Sequence, residues 1–277
     1  MFRKKVDTNL VIKPFKEKKF SHNPLLYLTE RISIDPRELY RRSYILTDSQ
    51  GMLLRETGNL FDEQGYNIYV FDPFDMKNTM HYNPIAYIQN PADIKYLARA
   101  LLKNLRRNQR MPVEPFFEEL IFLWLQATIK YLWFEESPEK QNLPALLKLV
   151  EADYNGELEI LFENLEYDVR EWKIYRNMLY KQELSYKILE SLEELLKPFS
   201  VPEITELFSY DELRFDTYGD QKSILYVTTK DMDNSYDFII SLLFSQMFYV
   251  LLVKVDENGG RRNTHVQFLL DEFNWYK

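Results

Sequence analysis

From Tyr82 to about Ser223 the sequence holds no convincing strand, yet strand-helix-strand patterns stand on both sides of that long gap. Before it, SYILTD (Ser43 to Asp48) and YNIYVFD (Tyr66 to Asp72) are near-continuous runs of β-forming residues that each end on an aspartate. Between them Leu53, Leu54, Leu60 and Phe61 recur at helical spacing, and Gly65 stands where a helix favours a C-terminal glycine. After it, KSILYVTTKD (Lys222 to Asp231) leads into an apolar helix from about Ser235 to Val255, a Gly259-Gly260 turn and the run HVQFLLDEF. Strands joined by helices lie parallel and are covered on both faces, which is why such strands lose the polar half of their alternation. The expected fold class is therefore α/β: a parallel sheet domain built from residues 43–81 and 209–277, interrupted by an inserted all-α domain at 82–208. Residues 1–42 form a divergent N-terminal segment whose NLVIK (Asn9 to Lys13) is a short β-like run.

The middle reads as helix throughout. PADIKYLARALLKNLRR opens with Pro91 and Asp93 in helix-start positions, and EPFFEELIFLWLQATIKYLWFEE is apolar around much of its circumference, which implies burial on several sides. LPALLKLVEAD follows, and then one long helical run, DVREWKIYRNMLYKQELSYKILESLEELLKPF, broken at Pro198. The most apolar stretch, Phe238 to Val253, includes Ser241, Ser245 and Gln246 and is shorter than the roughly 20 residues that cross a bilayer, so it reads as a buried helix. The N-terminus carries no apolar core of signal-peptide length, so the expected location is the cytoplasm.

Charge and composition exclude several functions. With 35 Lys and Arg against 43 Asp and Glu, the net charge of -8 repels a nucleic-acid backbone, so any DNA contact is local. The absence of cysteine removes thiolate catalysis, disulfides and cysteine zinc sites, and three scattered histidines do not make a metal site. The one dense basic run in the middle, KNLRRNQR, holds Lys103, Arg106, Arg107 and Arg110. It is either a contact for DNA or an acidic protein, or a solvated helix end whose cations oppose the helix dipole. The RKK and KPFKEKK runs near the N-terminus are too short to outweigh an acidic chain.

The chemistry-bearing feature is the end of HVQFLLDEFNW, where an apolar strand stops on Asp271 and Glu272. In nucleotide-hydrolysing P-loop enzymes such a pair stands at the carboxyl edge of the sheet, the first carboxylate holding Mg²⁺ through water and the second positioning the attacking water. Taken alone, the pair fits equally well a capped turn with a solvated glutamate.

The order of these segments resembles the TraG/TraD-like coupling proteins of conjugative DNA transfer and type IV secretion. SYILTDSQGMLLRETGNLFDEQGYNIYVFDPFDMKNTMHYNPIAYI is similar to the family's strand, Asp-Pro-Lys-Gly-Glu-like turn, helix, strand and Asn-Pro turn. The Glu114 to Glu136 helix resembles the start of its inserted helical domain, the Lys222 to Leu252 segment its next strand and helix, and HVQFLLDEFNW its Walker B strand. The resemblance covers about Ser43 to Phe273 and implies a partial RecA-like P-loop fold in a membrane-associated hexameric ATPase. Such a protein brings a relaxase-DNA substrate to a secretion channel, and its helical insertion contributes to substrate recognition. It further implies ATP and Mg²⁺ as cofactors, Asp271 as the magnesium-holding residue, Glu272 as the catalytic one, and relaxosome and secretion components as partners.

The departures from that pattern are specific. A glycine-rich loop ending in Gly-Lys-Ser/Thr is due before SYILTD, and no glycine precedes Gly51. The DSQGM turn keeps only Asp48 and Gly51 of its counterpart. The family's N-terminal membrane helices and the later strands of its motor have no counterpart. The expectation is a truncated member or fragment with little or no ATP turnover by itself. Two alternatives stay open: a motor subunit whose phosphate loop comes from elsewhere, and a regulatory fragment that joins full-length subunits.

Overall fold

A computed structural model of the chain describes residues 10–14, 41–106, 114–182, 184–230, 233–257 and 265–270. Its sheet has five parallel strands, β1 (Leu10–Pro14), β2 (Arg42–Ser49), β3 (Asn67–Phe71), β4 (Ser223–Thr229) and β5 (His265–Leu270), in the order β1-β5-β2-β4-β3. The register runs from Tyr44 opposite Ile224 to Ser49 opposite Thr229, and from Arg42 opposite His265 to Leu46 opposite Leu269. The chain falls into two compact units, one of residues 1–80, 213–240 and 247–277, the other of residues 81–212 and 241–246.

In the sheet unit β2 and β4 are buried along almost their whole length, which requires cover on both faces. One face packs against α1 (Met52–Glu63): Tyr44, Leu46, Ile224, Tyr226 and Leu269 meet Phe61 and Tyr66, with Leu53 and Leu54 alongside. Period-two geometry turns the intervening residues to the other face. There Phe268 stacks on Phe248 with ring centroids 4.4 Å apart. A side-chain polar link crosses the α1 side, where the Thr57 and Tyr226 hydroxyls lie 2.8 Å apart. Helix α1 ends through Gly65 at φ +73°, a left-handed position that costs glycine nothing, and the Gly65 and Tyr66 N–H groups donate to the carbonyls of Asp62 and Phe61. The outer edge of β3 is partly covered by its own continuation, since Met80 N–H donates to the Val70 carbonyl (3.0 Å) and Asp72 N–H to the Thr79 hydroxyl (2.8 Å).

In the other unit the described elements of residues 81–212 are all helices. These are α2 (Pro91–Arg106), α3 (Pro115–Glu135), α4 (Ala145–Tyr154), α5 (Glu157–Glu163), α6 (Arg170–Gln182), α7 (Ser185–Leu196) and α8 (Pro202–Leu207), with short 3-10 turns between them. The run from Asp168 to Phe199, expected as one helix, divides into α6 and α7, and Leu184 leaves helical dihedrals at φ -110°, ψ 7°. Helix α3 is buried on nearly all sides from Leu120 to Ile129, as its apolar circumference requires. Its Trp124 indole N–H donates to Asp153 (2.9 Å), which the Tyr175 hydroxyl also reaches at 3.2 Å. The Asp153 carboxylate is thereby satisfied in a nearly sealed environment. The first and last residues of the 81–212 segment are tied together: His81 N–H and its ring Nδ1 meet the Glu212 carboxylate at 2.9 and 2.8 Å, and Glu212 N–H donates back to the His81 carbonyl.

Helix α9 (Asp237–Glu257) supplies residues 241–246 to the helical unit and its two ends to the sheet unit. By length and composition the Asp237 to Lys254 window is able to cross a membrane, and 56% of it is buried inside the protein. Gln246 explains the polar break in this apolar helix. It is buried, accepts the Tyr82 hydroxyl at 2.5 Å, and donates its amide to the Pro84 carbonyl at 2.7 Å.

Candidate functional site

A parallel sheet gathers the carboxyl ends of its strands at one edge, and that edge is where ligands of α/β proteins bind. Here β2 ends in Asp48-Ser49, β4 in Thr228-Thr229 followed by Lys230, and β3 in Phe71 followed by Asp72. Strand β5 closes on Leu270, opposite Pro14 of β1. Asp271 and Glu272 come next in the sequence and lie outside the described residues.

The turn after β2 is the most tightly organised part of the edge. Gln50 and Gly51 both take left-handed dihedrals, φ 61° and 68°, which lets the chain reverse at once into α1. Asp48, 1% exposed, then points at the start of that helix: Leu53 N–H donates to Oδ1 at 2.8 Å and Leu54 N–H to Oδ2 at 2.9 Å. The remaining donors are also used, with Gln50 N–H on the Thr229 carbonyl and Gly51 N–H on the Asp48 carbonyl. Burial raises the Asp48 pKa above its ordinary value, and this outweighs the opposite pull of the amide donors and of Arg55. A helix N-terminus attracts anions because its first N–H groups are unpaired, and this chain supplies its own anion.

At β3 the pattern repeats on a smaller scale. Asp72 Oδ1 accepts from the N–H groups of Phe74 (2.9 Å) and Asp75 (3.2 Å), closing the Asp-Pro-Phe-Asp turn on itself. Lys230 at the end of β4 lies over the Phe74 ring, 4.5 Å from its centroid. The described residues at this edge are the turns after β2 and β3, and residues 15–40 and 271–277 lie outside them. The amides of these two turns are occupied by aspartates, and no group of three or more His, Cys, Asp or Glu among the described residues is placed to hold a metal ion.

Of the four basic residues singled out in the sequence, Lys103 and Arg106 are described and Arg107 and Arg110 are not. Lys103 is exposed on the last turn of α2. Arg106 is turned inward, its side chain 14% exposed and its Nη1 3.0 Å from Glu118 of α3. Burial lowers its pKa, an effect that Glu118 opposes. Arg99, not singled out in the sequence, lies 4.3 Å over the Phe122 ring, so part of the positive charge of α2 serves packing. The sealing role of Asp48 also escapes the sequence, where a carboxylate four to six residues ahead of a helical run is too common to single out.

Comparison with curated protein sequences found no match. Among solved structures, the bacterial conjugative coupling protein TrwBdeltaN70 in its unbound monoclinic form is similar with a TM-score of 0.52 at 16% identity, over 88% of this chain and 58% of that one. The plasmid coupling protein TrwB in complex with ADP and Mg²⁺ is similar with a TM-score of 0.54 at 14% identity, over 90% and 60%. At these identities the likeness shows a shared α/β fold, and the chain spans less than two thirds of the length of either structure. A profile of the family described as Type IV secretory system Conjugative DNA transfer matches residues 39–275, nearly the whole chain, and the chain belongs to that family.

Proposed function

We propose that this chain is a coupling-protein-like component of conjugative DNA transfer that works by binding. In this reading residues 82–208 form an inserted helical domain that docks a relaxase-DNA substrate or a partner from the secretion machinery on the cytoplasmic side. The sheet domain of residues 43–81 and 209–277 carries it and turns over little or no ATP alone. The observation that carries the reading is the all-helical build of the described residues 81–212 in a chain whose residues 39–275 match the conjugative DNA transfer family. It is joined by the lack of any glycine before Gly51. TrwB has been captured with ADP and Mg²⁺. Bound Mg-ATP would supply a transferable phosphoryl group, and by the family resemblance Asp271 would hold the Mg²⁺ and Glu272 would position the attacking water. Both lie outside the described residues, so no hydrolytic step is assigned to them.

The test uses the full chain as bait in cells carrying a conjugative system, with captured proteins identified by mass spectrometry. Recovery of a relaxase or a secretion component is expected, and recovery of neither from cells that transfer DNA would refute the reading. In parallel, ATP turnover by the wild type should not differ from Asp271→Ala and Glu272→Gln. Turnover abolished by both substitutions would make the chain a motor subunit instead.

A further inference from the structure

The turn between α4 and α5 is built on Asn155-Gly156, which shares its Asn-Gly pattern with Asn258-Gly259; the latter pair lies outside the described residues. A left-handed residue lets α5 start directly after α4, and Gly156 supplies it at φ 75°, with open space where a Cβ would stand. The same missing side chain leaves the Gly156 nitrogen the least hindered backbone nucleophile that can follow an asparagine. Asn155 is exposed, and its side-chain amide has no hydrogen-bond partner among the described residues. Its Cγ is therefore accessible to the reaction by which asparagine deamidates, attack by the nitrogen of the next residue.

The native backbone holds that reaction off in two ways. Ring closure requires the Gly156 nitrogen on the Cβ side of the Asn155 Cα–C bond, and at ψ -4° it is eclipsed with the Asn155 nitrogen instead. The Gly156 N–H also donates to the Asp153 carbonyl at 3.1 Å, which hinders loss of its proton. One event releases both restraints: opening of the turn, a local motion that helix ends undergo without global unfolding.

We propose that Asn155 is a latent deamidation site, shut in the native turn, that converts an opening between α4 and α5 into a permanent change of the helical unit. The Gly156 nitrogen, its proton lost to solvent base, bonds to Cγ; the Cγ–Nδ2 bond breaks and the amide nitrogen takes up a proton and leaves as ammonia. Water then opens the cyclic imide, at Cγ to leave aspartate or at the main-chain carbonyl to leave isoaspartate. Isoaspartate lengthens the backbone path close behind Asp153, whose carboxylate receives the Trp124 indole N–H at 2.9 Å and the Tyr175 hydroxyl at 3.2 Å. The lesion loosens the buried network that joins α3, α4 and α6, and chemical change of an opened state makes the loss irreversible.

The experiment incubates the full chain at mildly alkaline pH, native and in urea, beside an acetylated, amidated peptide Asp-Tyr-Asn-Gly-Glu. Conversion at Asn155 is followed by peptide mapping with a fragmentation that separates aspartate from isoaspartate. The peptide and the urea-unfolded chain should convert at like rates, and the native chain more slowly by about tenfold or more, because only its opened fraction reacts. After refolding, chain carrying isoaspartate at this position should melt below unconverted chain taken through the same steps. Asn155→Gln, which keeps Asn258 but whose longer side chain closes a ring far less readily, should lose less on the same treatment. A native rate equal to that of the peptide, no conversion in urea, an isoaspartate fraction that melts with the unconverted chain, or an equal loss in Asn155→Gln would overturn the proposal.

Discussion

Replacing Asp48 by alanine separates a turn that seals itself from one built to receive phosphate. The carboxylate accepts two N–H groups at 2.8 and 2.9 Å from a nearly inaccessible position. Hydrogen bonds to a charged group contribute about 1.5–3 kcal/mol each, so the two together are worth roughly 3–6 kcal/mol before the cost of burying the charge. That cost is real, because burial raises the Asp48 pKa in spite of the donors. Water reaches the amides of the half-buried Leu53 and Leu54 once the side chain is gone. A net loss of about 2–4 kcal/mol follows, which for a chain of this size lowers the melting temperature by roughly 5–15 °C. Calorimetry of Asp48→Ala and Asp48→Asn should show the larger loss in alanine, since asparagine keeps one acceptor. The variant also exposes the amides that Asp48 had filled, so 100 mM sulfate should raise the melting temperature of Asp48→Ala more than that of the wild type. A melting temperature within about 1 °C of the wild type, or equal sulfate shifts in both proteins, would refute the self-sealing argument.

In the helical core, Asp153→Ala strands the Trp124 indole N–H and should cost about 2–4 kcal/mol by urea unfolding, and not more, because Arg176 keeps its contact with Glu159. Burial raises the Asp153 pKa above 3.8, so the folded chain holds that proton more readily than the unfolded chain. The stability contributed by this group is then greatest below 3.8 and declines as pH rises through the folded pKa, and the urea midpoint of the wild type relative to Asp153→Asn should fall with pH in that window. Tyr82→Phe leaves the buried Gln246 carbonyl without its donor and should cost about 1–3 kcal/mol, and a double-mutant cycle with Gln246→Leu should return a coupling of about 1 kcal/mol. Arg106→Ala should lower stability while leaving the affinity for duplex DNA unchanged, since its guanidinium is spent on Glu118; a loss of DNA affinity in a fully folded variant would contradict that assignment.

The sheet was largely legible because parallel strands buried on both faces leave near-continuous apolar runs. Ser43 to Asp48 and Lys222 to Asp231 each overlap the observed strand to within two residues at either end. Gly65 and Pro198 marked element ends because one takes a left-handed dihedral and the other cannot continue a helix. The break between α6 and α7 was not legible, because no glycine or proline marks it and the residues around Leu184 are ordinary helix formers. The candidate site was readable only as residue types. That Arg106 faces Glu118 and that Asp48 closes its own turn are facts of three-dimensional pairing, in which either residue would serve equally well as an exposed charge. Asp271 and Glu272, one and two residues past the described end of β5, lie outside the described residues.

The distribution of charge narrows what kind of binder this chain is. The whole net charge of -8 falls within residues 81–212, because the rest of the chain holds 20 bases (35 − 15) and 20 acids (43 − 23). A helical unit that repels a phosphate backbone as a body can meet DNA only through a few local cations. Of those described on α2, Arg106 is paired with Glu118, while Lys95, Lys103 and Arg99, which lies over the Phe122 ring, are exposed. So few cations give shallow salt dependence and weak affinity, since each neutralised phosphate contributes a slope of only about -0.9. Protein contacts are under no such constraint: apolar area supplies their free energy, and charge sets partner and orientation. The net charge of -8 on residues 81–212 therefore favours a protein partner over nucleic acid.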